Sequence, residues 1–289
     1  MEPGTPPRPA ATVIVARDRG ETFEVLMLMR NLNSDFVGGA YVFPGGAVDP
    51  HDATPEATAR CVGMDDVRAS AILGLDEGGL AYWVACAREL FEEAGLLLAV
   101  TADGEVLDAA DDALRERLVE RRREVNAGTT RFLDVLADEG LRLDGTALGY
   151  FAHWITPVGP PRRYDTRFFV ALAPVGQVPV HDNKELVANT WVTPGEALAR
   201  HERGEMQLIL PTIKNLEAVA RFSSSAELVE AARVATSDVP TIEPRIVADG
   251  HGVRILLPGD EGYDAAVEVG ARSIPSDDLS AASDDAARR

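Results

Sequence analysis

The chain has 289 residues, of which 46% are hydrophobic and 26% charged, and its formal net charge is −19. This length and apolar content predict a folded globular protein with a large core and exclude a disordered chain. The acidic excess argues against a general nucleic-acid binder, which needs a basic face, but is compatible with a small polyanionic substrate held by a few arginines.

No apolar run approaches the ~20 residues that a membrane-spanning helix needs. The first ten residues, "MEPGTPPRPA", lack the apolar core of a signal peptide. We therefore expect no membrane association, no export and a cytoplasmic location. Cys61 and Cys86 are too few for a disulfide framework and are predicted to be reduced.

The N-terminal half alternates between strand-like and helix-like patterns. Residues 1–10 are proline-rich and are predicted to be a flexible tail. The patterns that follow predict, in chain order, a hairpin from strands at 11–17 and 23–30, a short strand at 40–43, short helices at 52–60 and 65–75, a long helix after Gly78-Gly79 that ends at Gly95, and a strand at 96–100.

The C-terminal half continues this mixture, which predicts the α/β (α+β) class. The patterns indicate helices at 107–125 and 131–140, strands at 148–157, 166–174 and 185–194, helices at 194–205, 211–222 and 224–235, and a hairpin within 245–260. Ser225 is a candidate N-cap of the helix at 224–235. The acidic Ser/Ala-rich end, 274–289, is predicted to be disordered.

Three carboxylates lie on one face of the long helix. Glu89 has Glu92 and Glu93 at positions i+3 and i+4, so their like charges destabilise a bare helix. A divalent cation among them removes that cost, and oxygen ligands suit Mg²⁺, Mn²⁺ or Ca²⁺. Arg88 precedes them and can hold a carboxylate in place. The alternative is a solvated acidic helix end, but the opposite face is strongly apolar and anchors the helix.

The segment "RELFEEAGL", 88–96, resembles the second half of the Nudix box, R-E-U-x-E-E-x-G-U with U apolar, at every fixed position. The resemblance implies an α/β/α sandwich with a mixed sheet. It also implies Mg²⁺ or Mn²⁺ bound by Glu89, Glu92 and Glu93, and cleavage of substrates in which a nucleoside diphosphate is linked to another group.

The first half of the box, G-x5-E-x7, does not precede this segment directly. Counting back from Arg88 places its glycine at Gly74, but the glutamate position then falls on Leu80. If the box instead begins at Gly46 in "FPGG", about 28 additional residues separate its halves, and Asp52 takes the glutamate position. We therefore expect an insert at about 53–79 to fold out and leave the two ends adjacent. Whether Asp52 or Glu77 replaces the glutamate is open.

A split box resembles the peroxisomal coenzyme A diphosphatase branch and its bacterial relatives. The segments "HWITPVGPPRRYDTRFFVA" and "LILPTIKNL" resemble later motifs of that branch, so the likeness covers roughly 11–222. Arg30 and Gly39 have plausible counterparts in the stricter coenzyme A signature of other Nudix enzymes. Asp35 stands where that signature has a second arginine, which weakens the coenzyme A assignment but not the hydrolase assignment.

The full set of candidate site residues includes positions inside and outside the box. The resemblance and the guanidinium fork suggest that arginines in and after the proline-rich turn at 158–165 contact substrate phosphates. The glycine turn at 45–46 can bring backbone N–H groups close to an oxyanion. The predicted substrate-binding residues are Arg30, Gly45, Gly46, Arg162, Arg163 and Arg167. The predicted catalytic residues are Arg88, Glu92, Glu93 and Glu185, with the identity of the general base left open among the last three.

A run of arginines interleaved with glutamates occupies 115–124. We interpret it as a solvated, salt-bridged helix face rather than as a binding site.

The domain organisation expected is a tail at 1–10, a Nudix domain at 11–222 with a helical elaboration at about 105–145, a helix and hairpin extension at 223–273, and a disordered tail at 274–289. The expected reaction is metal-dependent pyrophosphate hydrolysis of coenzyme A or acyl-coenzyme A, giving 3′,5′-ADP and a 4′-phosphopantetheine. The alternatives are ADP-ribose, NADH or another dinucleotide, and a silent nucleotide-sensing module. We expect a small nucleotide-linked substrate, no nucleic-acid partner, and a homodimer as an open option.

Overall fold

A computed structural model describes residues 6–32, 38–109, 111–160, 162–180, 186–234, 238–249, 252–266 and 276–288. Within these ranges a mixed sheet forms the centre of the molecule. Its strands run in the order β10-β2-β1-β9-β8-β11, with β3 paired to β2 and β4 paired to β1. The strands are β1 Arg8–Arg19, β2 Thr22–Arg30, β3 Tyr41–Val42, β4 Gly45–Ala47, β8 Gly149–Ile155, β9 Tyr164–Leu172, β10 Leu186–Val192 and β11 Thr241–Ile242.

The predicted hairpin is formed by β1 and β2, which pair in antiparallel register. The centre of the sheet is parallel, since β1 pairs with β9 over nine residues from Arg8↔Tyr164 to Ala16↔Leu172. Alternate side chains of β1 enter opposite cores: Val13 and Val15 face one, and Ile14 and Ala16 face the other. The sheet is therefore covered on both sides, which confirms the predicted α/β/α sandwich.

One face of the sheet packs against α3, Leu80–Ala94. The helix is apolar along most of its length, and Trp83 and Phe91 are almost completely buried. It ends where predicted, because Gly95 has φ 70, a left-handed conformation that an L side chain rarely adopts. The other face is covered by α6 Pro194–Glu202, α7 Leu210–Val219 and α8 Ser225–Arg233.

The insert before α3 folds into short elements. A 3₁₀ turn at Pro50–Ala53 leads into α1 Pro55–Arg60, β5 Cys61–Val62 and α2 Asp66–Leu73. The elaboration after α3 contains β6 Ala99–Val100, α4 Asp112–Asn126, α5 Phe132–Asp138 and β7 Arg142–Asp144. The two regions share a small sheet of order β5-β7-β6. The predicted helices in both regions are confirmed, whereas the strand expected at 96–100 is reduced to β6.

The C-terminal part packs onto the same body. After β11 come the predicted hairpin, β12 Arg245–Asp249 and β13 Gly252–Leu256, and a helix α9, Ser276–Arg288. Among the described residues, no helix combines the length and apolar character that crossing a bilayer requires.

Three expectations about the chain ends and caps are corrected. Arg8–Ala10 belong to β1 rather than to a flexible tail, because β9 pairs with them. Residues 276–288 form a helix rather than a disordered end, since Ala282, Ala286 and Ala287 are buried in the core that α7 also lines. The N-cap of α8 is Ser224 rather than Ser225, because the Ser224 hydroxyl accepts from the Glu227 N–H at 3.2 Å.

Candidate active site

The glycine turn and the carboxylate helix meet, although the insert separates them in sequence. Strand β4 places Gly46 opposite Ala11 of β1, under α3. The Gly45 N–H donates to Oε2 of Glu93 at 2.8 Å. A Cβ added to Gly46 would lie 2.5 Å from Oε1 of Glu89, so only glycine fits there without displacing that carboxylate. The predicted closure of the insert is therefore confirmed.

Arg88 binds the two parts of the site together. Its Nε and Nη2 donate to the two carboxylate oxygens of Asp52 at 3.0 and 2.9 Å, and Nη2 also donates to the Ala47 carbonyl at 2.9 Å. Its Nη1 donates to Glu89 at 2.7 Å and to Glu92 at 3.3 Å. This planar, bidentate arrangement fixes the angle of α3 relative to the loop after β4.

The geometry favours Asp52 over Glu77 as the residue in the missing glutamate position. Asp52 is 3% exposed, and its second role is to accept from the Asp49 N–H at 2.8 Å, which completes a capping box at the 3₁₀ turn. Glu77 is exposed and precedes the first residue of α3. The carboxylate of Asp52 is therefore the one that reaches Arg88.

The electrostatics of the helix face are those of crowded, poorly solvated carboxylates. Burial raises the pKa of Glu89 to about 7, and Arg88 only partly offsets this effect. Burial also raises the pKa of Glu92 above its usual range, again against the influence of Arg88. Burial alone would lower the pKa of Arg88, but its bonds to Asp52 and the nearby carboxylates raise it, so the guanidinium stays charged.

The carboxylates fit a divalent cation by their chemistry and proximity. They offer hard oxygen donors, and burial raises the pKa of Glu89 and of Glu92, with a smaller contribution from neighbouring carboxylates, because their negative charge is poorly solvated. Within the described ranges, however, no three acidic, His or Cys side chains converge on a common metal position. Glu89 and Glu92 point to Arg88, and Glu93 points to Gly45. A bound ion would therefore have to draw them from these partners.

The C-terminal end of α3 is held by a residue that the sequence interpretation missed. Arg122 of α4 is 8% exposed and donates to the main-chain carbonyls of Glu92, Glu93 and Val180 at 2.9, 2.7 and 2.5 Å. The interpretation of the arginine run as a salt-bridged surface holds for Arg117, Arg121 and Arg123. It is wrong for Arg122, whose burial comes from long-range packing that charge spacing does not encode.

The arginines near the proline-rich turn differ in their surroundings. Arg163 is buried, and its guanidinium donates to the carbonyls of Thr156 and Pro157 and to Glu243 at 2.8 Å. A phosphate contact would require it to leave these partners, so the geometry counts against that prediction. Arg162 is exposed.

Arg167 lies in the core beneath α3. It is 5% exposed, its Cζ is 5.9 Å from the centroid of the Tyr82 ring, and its Nη1 is 3.5 Å from Asp165. Among the described residues its Nε and Nη1 have no hydrogen-bond partner, although the side chain does bond to Tyr150. This position places Arg167 two strands from Gly46 on the same face, with Ala11 between them.

Of the two remaining predicted residues, Arg30 and Glu185, the structure describes only Arg30. Arg30 is the last residue of β2 and is paired with Leu186 of β10. Glu185 lies outside the described residues, as does Asp35. The roles predicted for Arg30 and Glu185 stay predictions.

Two concave regions lie near α3. A cavity of about 80 Å³ lies beside the insert and is lined by Met64, Arg68, Trp83 and Tyr150, among others. A groove of about 200 Å³ lies at the other end of α3 and is lined by Gly95, Val119, Arg122 and Val178, among others. None of the three carboxylates of α3 lines either one.

Comparison with known proteins assigns the family. A family model described as the NUDT19 Nudix domain matches residues 69–219, more than half of the chain. This chain is a Nudix hydrolase. The match covers α3 with its carboxylates, and the expected Nudix resemblance is confirmed; the enzyme class is Nudix pyrophosphohydrolase.

Individual relatives of this Nudix hydrolase agree with the family model. The acyl-coenzyme A diphosphatase NUDT19 of Gallus gallus is 31% identical over 83% of this chain and 73% of its own length. The protein of the same name from Homo sapiens is 28% identical over 84% of this chain and 73% of its own length. Among solved structures, a Nudix hydrolase from Alicyclobacillus acidocaldarius has a TM-score of 0.62 at 29% identity, covering 82% of this chain and 99% of its own.

Proposed function

We propose that this Nudix hydrolase cleaves the pyrophosphate bond of coenzyme A or acyl-coenzyme A and releases 3′,5′-ADP and the corresponding 4′-phosphopantetheine. Relatives from chicken, frog and human carry the name acyl-coenzyme A diphosphatase, and they align with more than four fifths of this chain. The contact that carries the proposal is the 2.8 Å bond from the Gly45 N–H to Glu93, which joins the halves of the box into one site.

The proposed chemistry uses the face of α3 that looks onto the glycine turn. Glu89, Glu92 and Glu93 would hold Mg²⁺ or Mn²⁺, which when bound supplies positive charge to the phosphoryl oxygens and lowers the pKa of the attacking water. Arg88 keeps two of these carboxylates in place while its other edge is fixed by Asp52. Gly46 leaves the space that the carboxylate of Glu89 occupies.

Among the described carboxylates, we favour Glu92 as the group that accepts the proton of the attacking water. Its side chain is 26% exposed, so it reaches solvent, whereas that of Glu89 is 14% exposed; both are bonded to Arg88, Glu92 at 3.3 Å and Glu89 more closely at 2.7 Å. Burial raises the pKa of Glu92, which brings its basicity closer to what a proton acceptor needs near neutral pH. We also propose that Arg30, Arg162 and Arg167 contact the substrate phosphates. Arg163 is left out of this set because its guanidinium is already bonded to the Thr156 and Pro157 carbonyls and to Glu243.

The test is hydrolysis of a substrate panel by the full chain. Coenzyme A, acetyl-coenzyme A, ADP-ribose, NADH and diadenosine tetraphosphate are incubated with Mg²⁺ or Mn²⁺, and products are identified by mass. We expect 3′,5′-ADP from the coenzyme A compounds at a higher kcat/KM than from any other substrate, and loss of activity in EDTA. The Glu92→Gln variant is the matched control for contaminating phosphatases.

Other outcomes are informative. A clear preference for ADP-ribose or NADH would overturn the substrate proposal and keep the enzyme class. Tight binding of one nucleotide without turnover would favour a sensing module. A homodimer and a cytoplasmic location stay predictions that this panel does not address.

A further inference from the structure

We propose that Arg122 is a positioning residue for the hydrolase reaction: it holds the end of α3 that carries Glu92 and Glu93 at a fixed place relative to the segment at 174–180. The inference rests on the proposed role of these two glutamates as metal ligands. It concerns α4, which lies outside the box, so the box sequence gives no indication of it.

The C-terminal end of a helix leaves its last four carbonyls without intrahelical partners. In α3 the first of them, that of Phe91, takes the N–H of the capping residue Gly95, and the other three are bonded from outside the helix. The carbonyl of Phe91 accepts from the Gly95 N–H at 2.9 Å, and that of Ala94 accepts from the Val180 N–H at 2.8 Å. Between them, Arg122 donates to the carbonyls of Glu92 and Glu93.

The carbonyls that Arg122 binds belong to the two glutamates themselves. A shift of these carbonyls moves the Cα atoms from which the carboxylates extend, so the guanidinium sets where both side chains begin. Asn126, one turn further along α4, adds a bond from its Nδ2 to the Glu92 carbonyl at 3.1 Å. The third bond of Arg122, to the Val180 carbonyl, ties the same helix end to the chain that follows β9.

Shape and charge support the same role. The guanidinium lies against Gly95, where an added Cβ would come within 3.2 Å of Nη1, so the glycine that ends the helix also makes room for the arginine. A cation at a helix C-terminus offsets the negative end of the helix dipole. Here the cation lies at the carbonyls of the two residues, Glu92 and Glu93, whose side chains carry the charge.

A lysine cannot reproduce this arrangement. The planar fork of arginine sends three nitrogens to three separate carbonyls, whereas an ammonium group is a single point donor on a flexible stem. The neighbouring Arg123 provides a control on the same helix, because it is 72% exposed and paired only with Glu120 among the bonds given by the structure.

The experiment compares Arg122→Ala, Arg122→Lys and Arg123→Ala in the full chain. Mn²⁺ affinity is measured directly from the electron paramagnetic resonance signal of the free ion, and kcat and KM are measured on the best substrate of the panel. We expect Arg122→Ala to weaken Mn²⁺ binding and kcat by about 10- to 100-fold, as loss of an outer-shell support does at other metal sites. KM should change less than kcat, and Arg123→Ala should match the wild type.

Chemical rescue separates positioning from general stabilisation. Added guanidinium ion, kept well below denaturing concentration, should restore part of the Mn²⁺ affinity of Arg122→Ala but not of Arg122→Lys, whose side chain fills the space. Sodium at equal ionic strength should restore none. A folded Arg122→Ala variant with wild-type Mn²⁺ affinity and kcat would overturn the inference.

If Arg122→Ala does not fold, Asn126→Ala decides the question. It removes the 3.1 Å bond to the Glu92 carbonyl and should weaken Mn²⁺ binding in the same direction by a smaller factor. Unchanged affinity in that variant contradicts the inference. Because Mn²⁺ binding is read without substrate, a wild type that binds Mn²⁺ but ignores coenzyme A refutes the substrate proposal alone.

Discussion

The buried ion pair between Arg88 and Asp52 allows a quantitative test of how the split box is joined. In the Asp52→Asn variant the shape is kept, but the charge that accepts both bonds at 2.9 and 3.0 Å is removed. The side chains of Arg88 and Asp52 are 14% and 3% exposed, so solvent cannot replace the lost partner. Breaking a buried pair by removing one charge costs about 3–5 kcal/mol.

The lower end of that range applies here. Arg88 keeps its bonds to Glu89 and to the Ala47 carbonyl, and asparagine still accepts one bond. We therefore expect Asp52→Asn to lose about 3 kcal/mol of unfolding free energy, which for a chain of this size lowers Tm by about 6 to 12 °C. The angle of α3 should also loosen, so kcat should fall while KM changes little.

The assay is urea unfolding followed by circular dichroism, together with kcat on the best substrate. Glu77→Gln is the matched control, since it removes one exposed carboxylate from the same insert and should change stability by less than about 0.5 kcal/mol. The reasoning is refuted if Asp52→Asn is as stable as wild type, or if Glu77→Gln is the variant that loses stability and activity.

Three further predictions follow from the site and its surroundings. Glu89→Gln should lower kcat at least about 100-fold, because it removes a proposed metal ligand. In EDTA the same variant should have a higher Tm than wild type, because it removes a charge that burial disfavours. An unchanged or lower Tm contradicts this. Arg163→Lys should lose about 1–2 kcal/mol of stability in urea with KM for coenzyme A unchanged, whereas a raised KM would return Arg163 to the substrate site. Burial alone would raise the pKa of Asp165, but His153 and Arg167 hold it below its usual range. Ionised Asp165 therefore stabilises the folded protein above about pH 4, and this stability is lost as the pH falls through the lower pKa of the folded state. Asp165→Asn should therefore be less stable than wild type at pH 7, and the difference in urea midpoint should shrink towards pH 3; a constant difference rules this out.

Much of the fold and the centre of the site could be predicted because their signals are local. The periodicity of α3, its terminal glycine and the spacing of its carboxylates all lie within sixteen consecutive residues, 80–95. The position of the glycine turn followed from counting along the Nudix pattern, and the Gly45–Glu93 bond agrees with it.

What the sequence could not predict depends on contacts between distant segments. Composition made 1–10 and 274–289 resemble solvated tails, yet Arg8–Ala10 pair with β9, and α9 buries alanines whose small side chains gave little hydrophobic signal. Likewise, nothing in the local pattern separates buried Arg122 from exposed Arg123, since both are arginines within one salt-bridged run.

The small sheet makes the insert and the later elaboration one interdependent unit. Strand β7 takes its partners from both, β5 on one side and β6 on the other, and Glu56 of the insert pairs with Arg131 of the elaboration at 3.2 Å. Deletion of 53–79 would remove a neighbour of β7 and also the α1 helix against which α5 packs. The two segments are therefore expected to be gained, lost or grafted together, as a single cassette around the catalytic helix.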